Sequence, residues 1–94
     1  MKDQKIIEAR ILLCEYLRKT AIEKGIYQEE IANKTGFTQS NVSRMLSGKY
    51  PPSLDNFIKL AEAIGVYFFI IDKDTPDDEL VNIMKNRWNL SSPN

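Results

Sequence analysis

The stretch that most constrains this chain is Tyr27 to Lys49, YQEEIANKTGFTQSNVSRMLSGK. It reads as two short helices joined by a tight turn at Gly36. In the first, Gln28 to Thr35, Ile31 faces inward and Ala32 is small where a neighbouring helix must come close. Glu29 and Glu30 in its first turn suit the helix dipole, which offsets the poor capping residue Tyr27. Gly36 takes positive φ at little steric cost, as a sharp turn requires, and Phe37 closes the apolar cluster. The second helix starts with Thr38 as N-cap and runs to about Ser47. Val42, Met45 and Leu46 form its inward face at i, i+3 and i+4, and Gly48 ends it. The rest of the chain reads as support for this pair, or as a device that presents two copies of it.

Lys5 to Lys24 is predicted as one long helix, with Ile7, Ile11, Cys14, Leu17 and Ala21 on an apolar stripe and Leu13 beside them. Cys14 is expected to be a buried, inert thiol. Ser53 caps a helix from about Leu54 to Ile64, whose broad apolar face comprises Leu54, Phe57, Ile58, Leu60, Ala61 and Ile64. Val66 to Ile71 is continuously apolar, β-branched and aromatic, which argues a strand. Val66, Phe68 and Ile70 point one way, and Tyr67, Phe69 and Ile71 the other. A strand apolar on both faces, with no second strand in the chain, calls for a partner strand from another copy. Thr75-Pro76-Asp77-Asp78 then opens a last helix to about Trp88. The expected architecture is mostly α. Residues 1–65 form a helical domain, and 66–94 a strand-plus-helix dimerisation extension of it.

At 94 residues one small domain is expected, and 13 basic against 13 acidic residues leave no net charge. The charges are unevenly placed. Between Ile31 and Leu54 there is no Asp or Glu, while Lys34, Arg44 and Lys49 are present; the acids gather later, at Asp72, Asp74, Asp77, Asp78 and Glu79. Gln, Ser and Arg on the outward face of the second short helix are the groups that read base edges. Arg pairs bidentately with guanine, Gln with adenine, and Ser adapts to either. Gln39, Ser40, Ser43 and Arg44 are therefore the candidate base readers. Gln28, Thr38, Asn41, Lys49 and Tyr50 are candidates for phosphate contacts, which fix register rather than sequence.

These residues carry a resemblance. Gln28, Ala32, Gly36, Thr38-Gln39, Val42, Ser43-Arg44, Met45 and Gly48-Lys49 resemble the pattern of the Cro and lambdoid phage repressor helix-turn-helix (XRE) family, without gaps. The following PPSLDNFIKLAEAIGV is similar to the family's next helix. The resemblance runs from about Leu13 to Val66. It implies a lambda-repressor-like DNA-binding domain and a two-fold dimer on a pseudo-palindromic operator. It also implies Gln39, Ser40 and Arg44 at the bases, with Gln28, Asn41 and Lys49 at the phosphates. The chain departs from the family's pattern at Tyr27, where Thr or Ser is usual, and after Val66.

The leading expectation is a homodimeric transcriptional regulator, a repressor acting by occluding a promoter, with Val66, Tyr67, Phe68, Phe69, Ile70 and Ile71 at the dimer interface. The alternative is an antitoxin that binds its own operator and a protein toxin. A protein-interaction module without DNA binding is a third reading, supported by the zero net charge and the acidic end. Catalysis is disfavoured, because the chain has no histidine, no Gly-rich phosphate loop and no nucleophile setting. No metal or other cofactor is expected. The longest apolar run falls far short of the ~20 residues that span a bilayer, so no membrane contact and a cytoplasmic location are expected.

Overall fold

The computed structural model describes residues 3–68 and 72–74. Four helices follow one another: α1 (Asp3–Glu23), α2 (Gln28–Thr35), α3 (Gln39–Leu46) and α4 (Leu54–Ile64). Each boundary has a local cause. The Thr38 side chain accepts the Asn41 N–H at 3.1 Å, and the Ser53 side chain accepts the Asn56 N–H at 3.1 Å. These are the capping bonds that satisfy otherwise orphaned first-turn donors. Tyr27, extended at φ −84°, makes no side-chain cap, as its chemistry dictates.

One core joins all four helices. Leu17 and Ala21 of α1, Ile31 and Ala32 of α2, Val42, Met45 and Leu46 of α3, and Leu60, Ala61 and Ile64 of α4 are buried together. Ile26, Phe37, Phe57, Val66 and Phe68 pack against this cluster. No polar or charged side chain is buried among the described residues, so burial of apolar surface, rather than an internal polar network, holds the domain. Cys14 lies in α1 at 1% exposure, and burial pushes its thiol above the ordinary range despite the opposing charge of Arg10. It stays protonated and unreactive, as expected.

Two apolar faces are narrower than the sequence pattern implies. Leu13 is not part of the buried stripe of α1; it is more than half exposed, as are Leu12 and Tyr16. On α4, Leu54 and Ile58 are exposed while Leu60, Ala61 and Ile64 are buried. Apolar spacing marks the direction of the core but not the width of the neighbour that covers it.

The segment after α4 also differs from expectation. Val66 to Phe68 carry no regular strand structure, and Phe69–Ile71 lie outside the described residues, as does the last helix expected from Thr75. The alternation itself is present: Val66 and Phe68 turn inward, and Tyr67 is exposed. The Phe68 ring meets Phe57 edge-on, with centroids 5.3 Å apart and planes at 74°. The β-forming residue types here serve packing on α4, and the ladder that defines a strand needs a second strand, which the described residues do not supply. No helix among the described residues is long and apolar enough to cross a membrane.

Candidate nucleic-acid interface

The turn between α2 and α3 is built by Thr35, Gly36 and Phe37. Gly36 has φ +84° and donates its N–H to the Ala32 carbonyl at 2.9 Å. Thr35 Oγ1 donates to the Ile31 carbonyl at 2.8 Å and accepts the Phe37 N–H at 3.2 Å. The chain thus reverses without losing backbone partners, and Phe37 is set into the core with Lys59 Nζ 5.7 Å from its ring centroid. Thr35 was not singled out from sequence. A Thr just before a turn glycine was the available signal, since its hydroxyl bonds nearby backbone readily.

This turn fixes which side of α3 is free. Val42 and Leu46 are fully buried and Met45 nearly so, while Thr38, Gln39, Ser40, Asn41, Ser43 and Arg44 are exposed. All four candidate base readers therefore stand on accessible surface of one eight-residue helix. Thr38 and Asn41 are linked at the N-terminus of α3 by the capping bond. Removing that cap by Thr38→Ala is expected to cost about 0.5–2 kcal/mol; a urea midpoint indistinguishable from wild type would show the bond to be idle.

A second group forms at the other end of α3. The Arg44 guanidinium lies over the Tyr50 ring, 5.5 Å from its centroid. Ser47 Oγ donates to the Arg44 carbonyl at 2.7 Å and accepts the Lys49 N–H at 3.2 Å. Arg10 Nε of α1 donates to the Gly48 carbonyl at 3.4 Å. Lys49 and Tyr50 are exposed beside it. Ser47 and Arg10 are contributors that sequence reasoning missed; Ser47 sits at a helix end where such bonds are common, whereas the contact from Arg10, 38 residues away, leaves no local trace.

Gln28 is set apart from both groups. It is the first residue of α2 and is half-buried. The local charge is also smaller than the acid-free window suggests. Lys34 Nζ is 3.5 Å from Glu30 Oε2, one turn earlier on α2. That exposed pair adds little stability, but it leaves Arg44 and Lys49 as the cations of the window that no carboxylate answers.

The helix-turn-helix family model matches residues 15–71, which is more than half of the chain. This chain belongs to the helix-turn-helix family. The match includes α2, the turn, α3 and α4, and so covers every candidate DNA-contacting residue. An uncharacterized HTH-type transcriptional regulator of Sinorhizobium fredii, y4dJ, is 37% identical over 57 residues, covering 61% of this chain and 71% of that protein. An uncharacterized HTH-type transcriptional regulator of Methanothermobacter thermautotrophicus is 34% identical over 62 residues, covering 62% of this chain and 90% of that protein. No solved structure gives a significant match.

Proposed function

We propose that this helix-turn-helix protein binds duplex DNA sequence-specifically as a homodimer and regulates transcription, as a repressor that occludes a promoter. One observation carries the reading: α3 buries Val42, Met45 and Leu46 and turns Gln39, Ser40, Ser43 and Arg44 to solvent, in a window without Asp or Glu. A helix placed on a rigid core with hydrogen-bonding side chains outward has the form that enters a major groove. The printed names of its relatives, HTH-type transcriptional regulators, agree with this role.

In this reading Gln39, Ser40, Ser43 and Arg44 contact base edges. Gln28, Thr38, Asn41, Lys49 and Tyr50 contact phosphates, helped by the free N–H groups that helix starts present to anions. One α3 reads only a few base pairs, so two copies are needed, about 34 Å apart to reach successive turns of one duplex face. Val66 to Ile71 is the segment assigned to that pairing, with residues 66–94 as the dimerisation extension.

Selection of binding sites from random duplexes tests these assignments together. The expected product is a pseudo-palindrome with half-sites about one helical turn apart. Arg44→Ala is expected to lower affinity for it by about 1–3 kcal/mol and to relax preference at one base pair per half-site. Affinity should fall steeply with salt as counterions are released. Enrichment of no sequence would end the specific-binding reading, and a solitary half-site would end the dimer.

A further inference from the structure

Arg44 is the strongest candidate base reader, yet it is fully exposed on a flexible side chain that must be immobilised to pair with a base. Its position in the fold supplies part of that order before any DNA arrives. The guanidinium rests over the Tyr50 ring at 5.5 Å, within the range of cation–π attraction. That contact uses the face of the guanidinium and leaves its N–H edge available for a bidentate bond.

Tyr50 in turn is not a loosely placed loop residue. The three residues before it are tied to the domain. Ser47 bridges the Arg44 carbonyl and the Lys49 N–H, at 2.7 and 3.2 Å. Gly48 is buried against Ile11 of α1, and its carbonyl accepts from Arg10. Pro51 and Pro52 restrict the chain on the other side.

We propose that Tyr50 is a positioning residue for Arg44: its ring face is a shelf that holds the guanidinium ready to read a base, and so helps to set specificity. This rests on the assignment of α3 as the DNA-reading helix. It differs from a phosphate contact through the tyrosine hydroxyl, because a shelf needs the ring and not the O–H. A phosphate contact shifts affinity alike for all sequences, whereas a positioning role shifts preference at the base pair that Arg44 reads.

The experiment compares wild type, Tyr50→Phe, Tyr50→Leu, Arg44→Ala and the double variant Arg44→Ala/Tyr50→Leu. Each is titrated with the selected duplex, the same duplex changed at the Arg44 base pair, and random duplex, after circular dichroism has established an intact fold. Tyr50→Phe is expected to keep wild-type discrimination at that pair. Tyr50→Leu should lose roughly two- to fivefold of it, the size of an exposed cation–π contact. It should leave binding to random duplex unchanged and add nothing to Arg44→Ala. Equal loss on all duplexes, loss with Tyr50→Phe, or additivity with Arg44→Ala would each overturn the shelf. The free protein gives an independent reading, since the Arg44 Cδ protons should be shifted upfield by the ring in wild type and in Tyr50→Phe but not in Tyr50→Leu. Absence of that shift in wild type would refute the contact itself. Failure of wild type to select any sequence, with the shift intact, would instead refute the DNA assignment and the specificity role with it, leaving only the contact.

Discussion

Leu46→Ala is expected to destabilise the protein by about 2–5 kcal/mol, the range for truncating a fully buried leucine. Leu46 is 1% exposed, closes the inward face of α3 and belongs to the core shared with α1, α2 and α4. The cavity would lie directly beneath the reading helix. For a small domain the total stability is about 5–15 kcal/mol, so this one change removes a large part of it. At about 4–8 °C per kcal/mol for a domain of this size, the midpoint of thermal unfolding should fall by at least roughly 8 °C. Ser43→Ala, exposed on the opposite face of α3, should stay within about ±0.5 kcal/mol in the same measurement. The pair separates the two faces of one helix: Leu46 carries the fold, and Ser43 is available to a ligand. Equal effects from the two substitutions would mean that α3 does not sit on the core by this face.

How much of this was legible in the sequence depends on whether the cause is local. The bounds of α2 and α4 follow from signals one or two residues long: Gly36 past the end of α2, Ser53 as the cap of α4 and Gly65 past its end. The outward face of α3 follows from the spacing of Val42, Met45 and Leu46, so its candidate base readers were found with it. The misassigned residues fail for another reason. Leu13, Leu54 and Ile58 fit the apolar period, but exposure is set by how far the neighbouring helices reach, which no single-helix pattern encodes. Val66 to Phe68 have strand chemistry, yet β propensity describes fit to a packed surface more than backbone pairing. Phe57 provides such a surface within the same domain. The Glu30–Lys34 pair is a different lapse, since its i, i+4 spacing was readable and only the choice of window hid it. The contacts of Arg10 with Gly48 and of Arg44 with Tyr50 depend on how a loop is folded, and nothing in the flanking residues announces them.

Gly48 is where the loop and the fold meet, and Gly48→Ala is the second substitution expected to have a large effect. Two costs add there. The residue has φ +79°, a conformation that disfavours any side chain by about 1–2 kcal/mol. A Cβ built on it also comes 3.2 Å from Ile11 Cα and 3.4 Å from Ile11 Cγ1. The nearer atom is helix backbone, so relief requires α1 to move away from the end of α3. Gly36 provides the control, because its φ is +84° but a Cβ there meets nothing within 4 Å. Gly36→Ala should therefore show the conformational cost alone, and Gly48→Ala that cost plus the contact, for a total of about 2–4 kcal/mol. Adding Ile11→Ala should not rescue Gly48→Ala, since truncating the side chain leaves the Cα where it is. The displaced segment carries Lys49 and Tyr50, so binding to the selected duplex should weaken by more than the unfolded fraction explains. Urea unfolding of the glycine variants, alone and with Ile11→Ala, measures the first effect, and titration at a temperature where every variant is folded measures the second. If Gly48→Ala proved as mild as Gly36→Ala, α1 would not be pressed against the end of α3, and the anchoring of the Tyr50 loop through that contact would have to be abandoned.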